Sequence, residues 1–320
     1  MKKIQISSSL CAIGIGAFIL FSTILASCSK SDDNPGGGGT ANTTFKVTDA
    51  PIDDASVTAA FVTISDIKLD GQSLSGFTKT TVNLLALQNG STQTIGNFNL
   101  SAEVYSNVTF VLDFDTDASG GTPGSYVMTT GSVKHKLQSS TNVITATKTI
   151  ALVASGTNEI VADFDLRKMI IHTAGADHYD LATSAELNND VRLTVENNTI
   201  AGTVTDNTVG GAGKIIVYAY KKGTFNRTTE LSGQGASSVQ FANAATSATV
   251  TAGGNYQLHF LESGAYELYF ASYKDTNADG EYELQGTLMA TVGGGLDLLN
   301  LSLSANVTVT ANVTATAVIP

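Results

Sequence analysis

The stretch "NVTFVLDFD", residues 107–115, alternates apolar and polar side chains one by one. Val108, Phe110, Leu112 and Phe114 fall on one side, and Asn107, Thr109, Asp113 and Asp115 on the other. In an extended chain successive side chains point to opposite faces, so this pattern describes a strand with one buried and one wet face. Residues 160–167 repeat it, with Ile160, Ala162, Phe164 and Leu166 set against Asp163, Asp165 and Arg167. Gly, Asn, Asp and Ser mark the breaks between such runs, as turns require. Helical periodicity is scarce; Leu84 to Gln88 reads as a short helical turn. The expected class is therefore all-β, with antiparallel sheets. With 42% apolar residues in 320, the chain can fill two cores. The rhythm changes at Asn197-Asn198. That change divides the chain into two β-sandwich domains, residues 43–196 and 197–320.

The end of the chain alternates more strictly still. From Leu299 to Ala317 every odd position is apolar and every even one is Asn, Ser or Thr. As one strand it would reach about 60 Å, far beyond ordinary strand lengths. Two final strands joined around Ser304-Ala305-Asn306 are expected. The alternative is a strand donated to a neighbouring chain, as in a surface fibre.

At the other end, Lys2 and Lys3 precede an apolar run from Leu10 to Leu25, followed by the small residues Ala26 and Ser27. Charged start, apolar middle and small-residue end describe a signal peptide over residues 1–27, too short to span a bilayer comfortably. Leu25-Ala26-Ser27-Cys28 resembles the lipobox of bacterial lipoproteins. The resemblance implies cleavage before Cys28, acylation of its thiol and amine, and a membrane partner reached through that lipid. Cys11 would leave with the leader, so no disulfide is expected. Residues 28–42 form a flexible linker, with Asn34-Pro35 and Gly36 to Gly39 at its centre. Its Asp32-Asp33 pair resembles the signal that carries some lipoproteins to the outer leaflet of the outer membrane. Losing Lys2 and Lys3 moves the formal charge from −11 to −13. A chain this acidic is not expected to bind nucleic acid, which needs basic patches.

Two further resemblances concern the body of the chain. Thr48-Asp49-Ala50-Pro51 with Asp53, then Asn83 to Leu87, the strand Tyr105 to Leu112, "IVADFDLRKMI" at 160–170, and Tyr179 and Leu181 follow in order. Residues 43 to about 196 thereby resemble the lipoprotein domain of unknown function 4382. Glu103-Val104 stand before Tyr105, where that family usually carries a glycine. The resemblance implies a β-rich, surface-facing domain and brings no activity with it. "IAGTVTD" at 200–206, Lys214 to Tyr220, and "GGNYQLHFLESGAYELYFASY" at 253–273 make residues 199–320 similar to carboxypeptidase-regulatory-like, transthyretin-type modules. That likeness implies scaffolding or binding, and no peptidase.

Chemistry has few places to sit. In "KDTNADGEYE", residues 274–283, Asp275, Asn277 and Asp279 occupy positions one, three and five of a calcium loop, with Gly280 at the bend. Position twelve is Gly286, so Glu281 or Glu283 would have to supply the last carboxylate. A hairpin loop of good turn formers explains the same residues. Asp113, Asp115 and Asp117 are expected on one strand face, and Asp163 and Asp165 on another. Such pairs stand about 6.6 Å apart, a spacing compatible with glycoside hydrolysis or a cation, though solvated acids account for it equally. His172 and His178 flank a loop with Asp177 and Asp180, a candidate zinc set; His135 and His259 lie elsewhere. "GGAGK" at 210–214 lacks the first glycine and the Ser or Thr of a phosphate loop. The expectation is a non-enzymatic, lipid-anchored cell-surface protein with an extracellular ligand or partner. A fibre subunit or a glycan-binding accessory protein are the alternatives, the latter weakened by the absence of Trp.

Overall fold

The structure is a computed structural model. It describes residues 38–52, 54, 56–172, 178–204, 213–278, 282–292, 295–296, 301–303, 308–310 and 314–318, with side chains as far as residue 285. The signal peptide, Cys28, the Asp32-Asp33 pair and most of the linker lie outside the described residues, as does Asp53. Among the described residues no helix is long and apolar enough to cross a membrane.

Strands dominate. The first cored unit runs β1 (Thr40–Ala50), β2 (Val57–Leu69), β3 (Gln72–Ser73), β4 (Thr80–Asn83), a 3-10 turn (Leu84–Leu87), β5 (Gln93–Ser101), β6 (Val104–Leu112), β7 (Tyr126–Thr129), β8 (Val133–Gln138), β9 (Val143–Ala151), β10 (Thr157–Asp165), α1 (Leu166–Met169), β11 (Ile170–His172), β12 (Tyr179–Leu181), α2 (Ser184–Asp190) and β13 (Val191–Thr194). A four-stranded sheet, β13-β10-β1-β5, packs on a nine-stranded one, β11-β12-β8-β7-β2-β6-β9, with β3 and β4 beside β2. The alternating apolar residues meet between them: Phe45, Val47, Ile64, Ile67, Phe110 and Phe164 are all 0–1% exposed. Phe110 and Phe164, one from each founding pattern, touch edge to face with ring centroids 5.3 Å apart. Burying each such ring is worth about 2–3 kcal/mol.

The second unit runs β14 (Asn198–Thr203), β15 (Lys214–Lys221), α3 (Arg227–Glu230), β16 (Thr246–Val250), β17 (Asn255–Leu261), β18 (Gly264–Lys274), β19 (Glu283–Val292), β20 (Gly295–Leu296), β21 (Leu301–Leu303), β22 (Thr308–Thr310) and β23 (Thr314–Val318). The sheet β17-β14-β22 faces β16-β15-β18-β19-β20, which also carries β21 and β23. Ile200, Val217, Leu258 and Phe270 fill the space between them. On the far face of β15 and β18, Tyr218, Tyr220 and Tyr269 pack with Phe241 from the loop before β16. The described pieces of the alternating tail pair within this chain: β21 with β18, β22 with β14 and β23 with β19.

The all-β sandwich expectation holds, with two corrections. The sheets are mixed: β1 pairs with β10 in parallel over nine residues, and β12–β8 and β14–β22 are parallel too. Alternation reports which side chains are buried and is silent on strand direction. Second, Asp113, Asp115 and Asp117 do not share a strand face, because β6 ends at Leu112. Asp113 instead accepts the backbone N–H of Asp115 (2.8 Å) and Thr116 (3.0 Å) and pairs with Lys79 at 2.7 Å, closing a turn.

Candidate functional site

β10 sits between β1 and β13, so its two faces meet different surroundings. Ile160, Ala162 and Phe164 enter the core as their spacing requires. The opposite face was expected to be wet, yet Asp163 and Asp165 are only 5% and 6% exposed. Residues 242–249 of the second unit wall the clefts beside them. Buried carboxylates need partners, and here the partners are cations from neighbouring elements.

Directly after β10 the chain turns into α1, whose first N–H groups have no partner within the helix. Asp49 at the end of β1 takes one of them: its Oδ1 accepts Leu166 N–H at 3.2 Å. The turn projects Arg167 and Lys168 towards the second unit. Arg167 donates from Nη1 to Gln240 O and from Nη2 to Phe241 O at 3.2 Å, while Asp165 Oδ2 stands 3.4 Å behind the same Nη2. Lys168 Nζ donates to Ala244 O at 3.0 Å and lies 3.2 Å from Asp165 Oδ2. From β13, Arg192 donates to Phe260 O and to Asp163 Oδ2 at 2.6 Å. Each cation is thus held by a carboxylate of the first unit and grips a backbone carbonyl of the second. Phe241 and Phe260, two of the gripped residues, have φ of +53° and +55°, a region that bulky side chains rarely adopt.

Other bonds follow the same seam. Lys148 pairs with Glu262, and Lys214 donates to Ile52 O. Glu186 accepts Ser237 N–H (3.1 Å) and Oγ (2.7 Å) while completing a capping box with Thr183. At Gly90 (φ +78°) a Cβ would come within 2.6 Å of the His259 ring, so only glycine fits both the backbone and the space.

The charges respond to this burial. Burial pushes the Asp49 carboxyl well above its usual range, against the pull of the Leu166 N–H. Burial also raises Asp163, with Arg192 partly offsetting it. At Asp165 burial acts the same way, but Arg167 and Lys168 outweigh it and hold the group low. Asp190, at the end of α2, is pushed up to about 7 by burial. Glu186 is held at about 2, its Thr183 and Ser237 bonds overcoming the effect of burial. Asp163, Asp165 and Asp190 line a cleft of about 520 Å³ between α2, β9, β13 and residues 242–245.

The remaining candidates are scattered. Asp275 Oδ1 accepts Ala278 N–H at 2.6 Å, and Glu283 Oε2 accepts both N–H and Oγ–H of Thr276 at 2.8 Å. Those are bonds of the hairpin turn itself. Asn277 is exposed beside them, and Asp279 and Glu281 lie outside the described residues. Among the described residues no group of three or more His, Cys, Asp or Glu is arranged to hold a metal ion. His172 and His178 join different aspartates, Asp54 at 3.1 Å and Asp180 at 3.3 Å, while Asp177 lies outside the described residues. Ser56 Oγ also bonds Asp54, at 2.6 Å, which puts the carboxylate in the middle; a nucleophile relay needs the histidine there. The sequence reading missed Asp49, Asp190 and Arg192. A signal was present for the clamp, since Arg167 and Lys168 follow the acids of "DFD" directly.

Among solved structures, the chain is similar to the Bacillus anthracis TIE protein at 9% identity and a TM-score of 0.20, over 86% of this chain and 34% of that one. It is also similar to BcpA, the major pilin subunit of Bacillus cereus, at 10% and 0.21, over 87% and 71%. A third is GBS52, the minor pilin of Streptococcus agalactiae, at 10% and 0.21, over 87% and 97%. The chain spans about a third of the first of these. Similarities with TM-scores this low carry no argument about fold or function. No curated protein matches the chain. Residues 40–183 match the family model described as Domain of unknown function (DUF4382).

Proposed function

We propose that this chain is a non-enzymatic, lipid-anchored cell-envelope protein that holds two β units outside the outer membrane as one binding or display module. The carrying observation is what became of its most chemical-looking segment. In "DFDLRK", Asp163, Asp165, Arg167 and Lys168 are buried and committed to joining the two units through backbone carbonyls. Groups tied up in this way serve rigidity, and a rigid pair of β units suits display at the end of a tether. Cys28 supplies the anchor in this reading, Asp32-Asp33 the address, and the linker over residues 28–42 a reach of about 20 Å from the headgroups. The second unit, from residue 197, serves as the transthyretin-type binding module.

Protease shaving of intact cells tests this. Wild-type chain should be removed from intact cells, Cys28→Ala should leave the membrane fraction, and Asp32→Ala/Asp33→Ala should stay membrane-bound but protected. A wild-type chain that resists shaving overturns the surface assignment. Size analysis of the same native extracts should show single chains, because the described tail pieces pair with their own sheets. A ladder of oligomers would replace the display reading with a fibre subunit.

A further inference from the structure

The 520 Å³ cleft is lined by four carboxylates, Asp163, Asp165, Asp190 and Glu262, against three cations, Lys148, Lys168 and Arg192. Three of the four acids are spoken for. Asp163 pairs with Arg192, Asp165 with Lys168 and Arg167, and Glu262 with Lys148 and Lys221. Asp190 has no ion pair among the described residues. Its Oδ2 is buried with no hydrogen-bond partner, in a residue only 8% exposed. Asp165 Oδ1 is buried without a partner as well, in a residue 6% exposed. A buried acceptor left open costs about 1–3 kcal/mol, more when charged, so the cleft keeps an unmet demand for donors and positive charge.

We infer that this cleft receives a primary ammonium group, with Asp190 as its counter-ion and the open Asp165 oxygen as a further acceptor. A hard divalent cation fits poorly, because it wants six or more oxygen ligands, and Lys168 and Arg192 stand in the same lining. An ammonium brings one charge and three N–H donors, matching one unbalanced carboxylate and the open acceptors around it. The volume exceeds what a bare ion needs and leaves room for the carbon skeleton that carries the nitrogen. Asn188, Asn189 and Asn243 add amide groups to the wall. The charged groups facing Asp190 are Lys168 and Arg167 from α1, Asp165 from β10, Glu186 from α2 itself, and Lys148 and Arg192 across the cleft. Burial, offset in part by Lys168, pushes Asp190 up to about 7, so ammonium binding strengthens above that pH and weakens below it. This inference is independent of where the chain is displayed.

Calorimetric titration and thermal melting of the purified full-length chain test it. Cadaverine, glucosamine and Nα-acetyl-lysine amide stand for a free diamine, an amino sugar and a protein lysine, and the tightest probe identifies the source. N-acetylglucosamine is the uncharged control, and calcium chloride the metal arm. At about pH 8 at least one ammonium probe should bind saturably while the uncharged control does not. Asp190→Asn should weaken that binding about tenfold or more, and lowering wild type to about pH 6 should weaken it about tenfold. The wild-type pH series stands even where the variant folds poorly. Three results overturn the inference: no ammonium probe binds, Asp190→Asn binds like wild type, or Asp190→Asn removes a calcium response but leaves ammonium binding.

Discussion

Asp190 carries a carboxyl that is at ease only when protonated or paired. Its folded value of about 7 lies above the ordinary 3.8, so between those values the folded chain holds a proton that the unfolded chain has lost. Stability from this group is therefore full below about pH 4 and falls as pH rises towards 7. Asp190→Asn keeps the shape and removes the charge. Urea denaturation at a series of pH values should show the variant gaining on wild type by up to roughly 4 kcal/mol at about pH 8 and by almost nothing near pH 4. A difference that is constant with pH would remove the assignment. Glu186 has the opposite sign: held at about 2, it stabilises the fold above its ordinary value of 4.5, and that contribution drains away as pH falls towards 2. Neither behaviour was legible in the sequence, where both are polar positions on a short helix. Their environments come from Ser237 and from residues 242–245, about fifty residues further along the chain.

α1 is four residues long and acts as a connector more than as a helix. Its work is to turn two cations out of the sheet plane and aim them at carbonyls. Arg167→Ala would leave Gln240 O, Phe241 O and Asp165 short of donors in a buried seam, at a cost of about 3 kcal/mol. Combined with Arg192→Ala, it should separate the two units' unfolding into two steps under denaturant, where wild type should show one. A single coincident transition in the double variant would mean that the clamp does not couple them. Lysine is a poor substitute at position 167, because an ammonium cannot bridge two carbonyls and a carboxylate in one plane. The β18–β19 hairpin is a second element with a prediction of its own. If residues 275–283 bind calcium, as Asp275, Asn277, Asp279, Glu281 and Glu283 lead us to propose, millimolar calcium should raise the melting temperature. Asp275→Ala should abolish the effect, and a melting temperature unmoved by calcium or chelator removes the site. Some element types were readable: the Leu84–Leu87 turn stands where Leu84 to Gln88 suggest it.

Across the whole molecule, the separation of buried faces was written in residue order. The alternation at 107–112 and 160–165 determined that these segments are strands, which side chains enter the core, and that the chain is all-β; its continuation into 113–115 and 166–167 became a turn and the start of α1. Composition determined that more than one core can be filled, and the described core residues form three clusters, one within 41–193 and two on opposite faces of β15 and β18. What the polar faces meet was decided only by the tertiary structure. A period of two says that Asp163 and Asp165 leave the core of their own sheet, because local geometry sets side-chain direction. It cannot say whether water or another part of the chain lies beyond, since that depends on contacts between residues some eighty positions apart. Packing of the 240–249 stretch against that face turned a pattern of solvated acids into a buried clamp. The same packing left Asp190 buried beside a cleft, with no ion pair among the described residues.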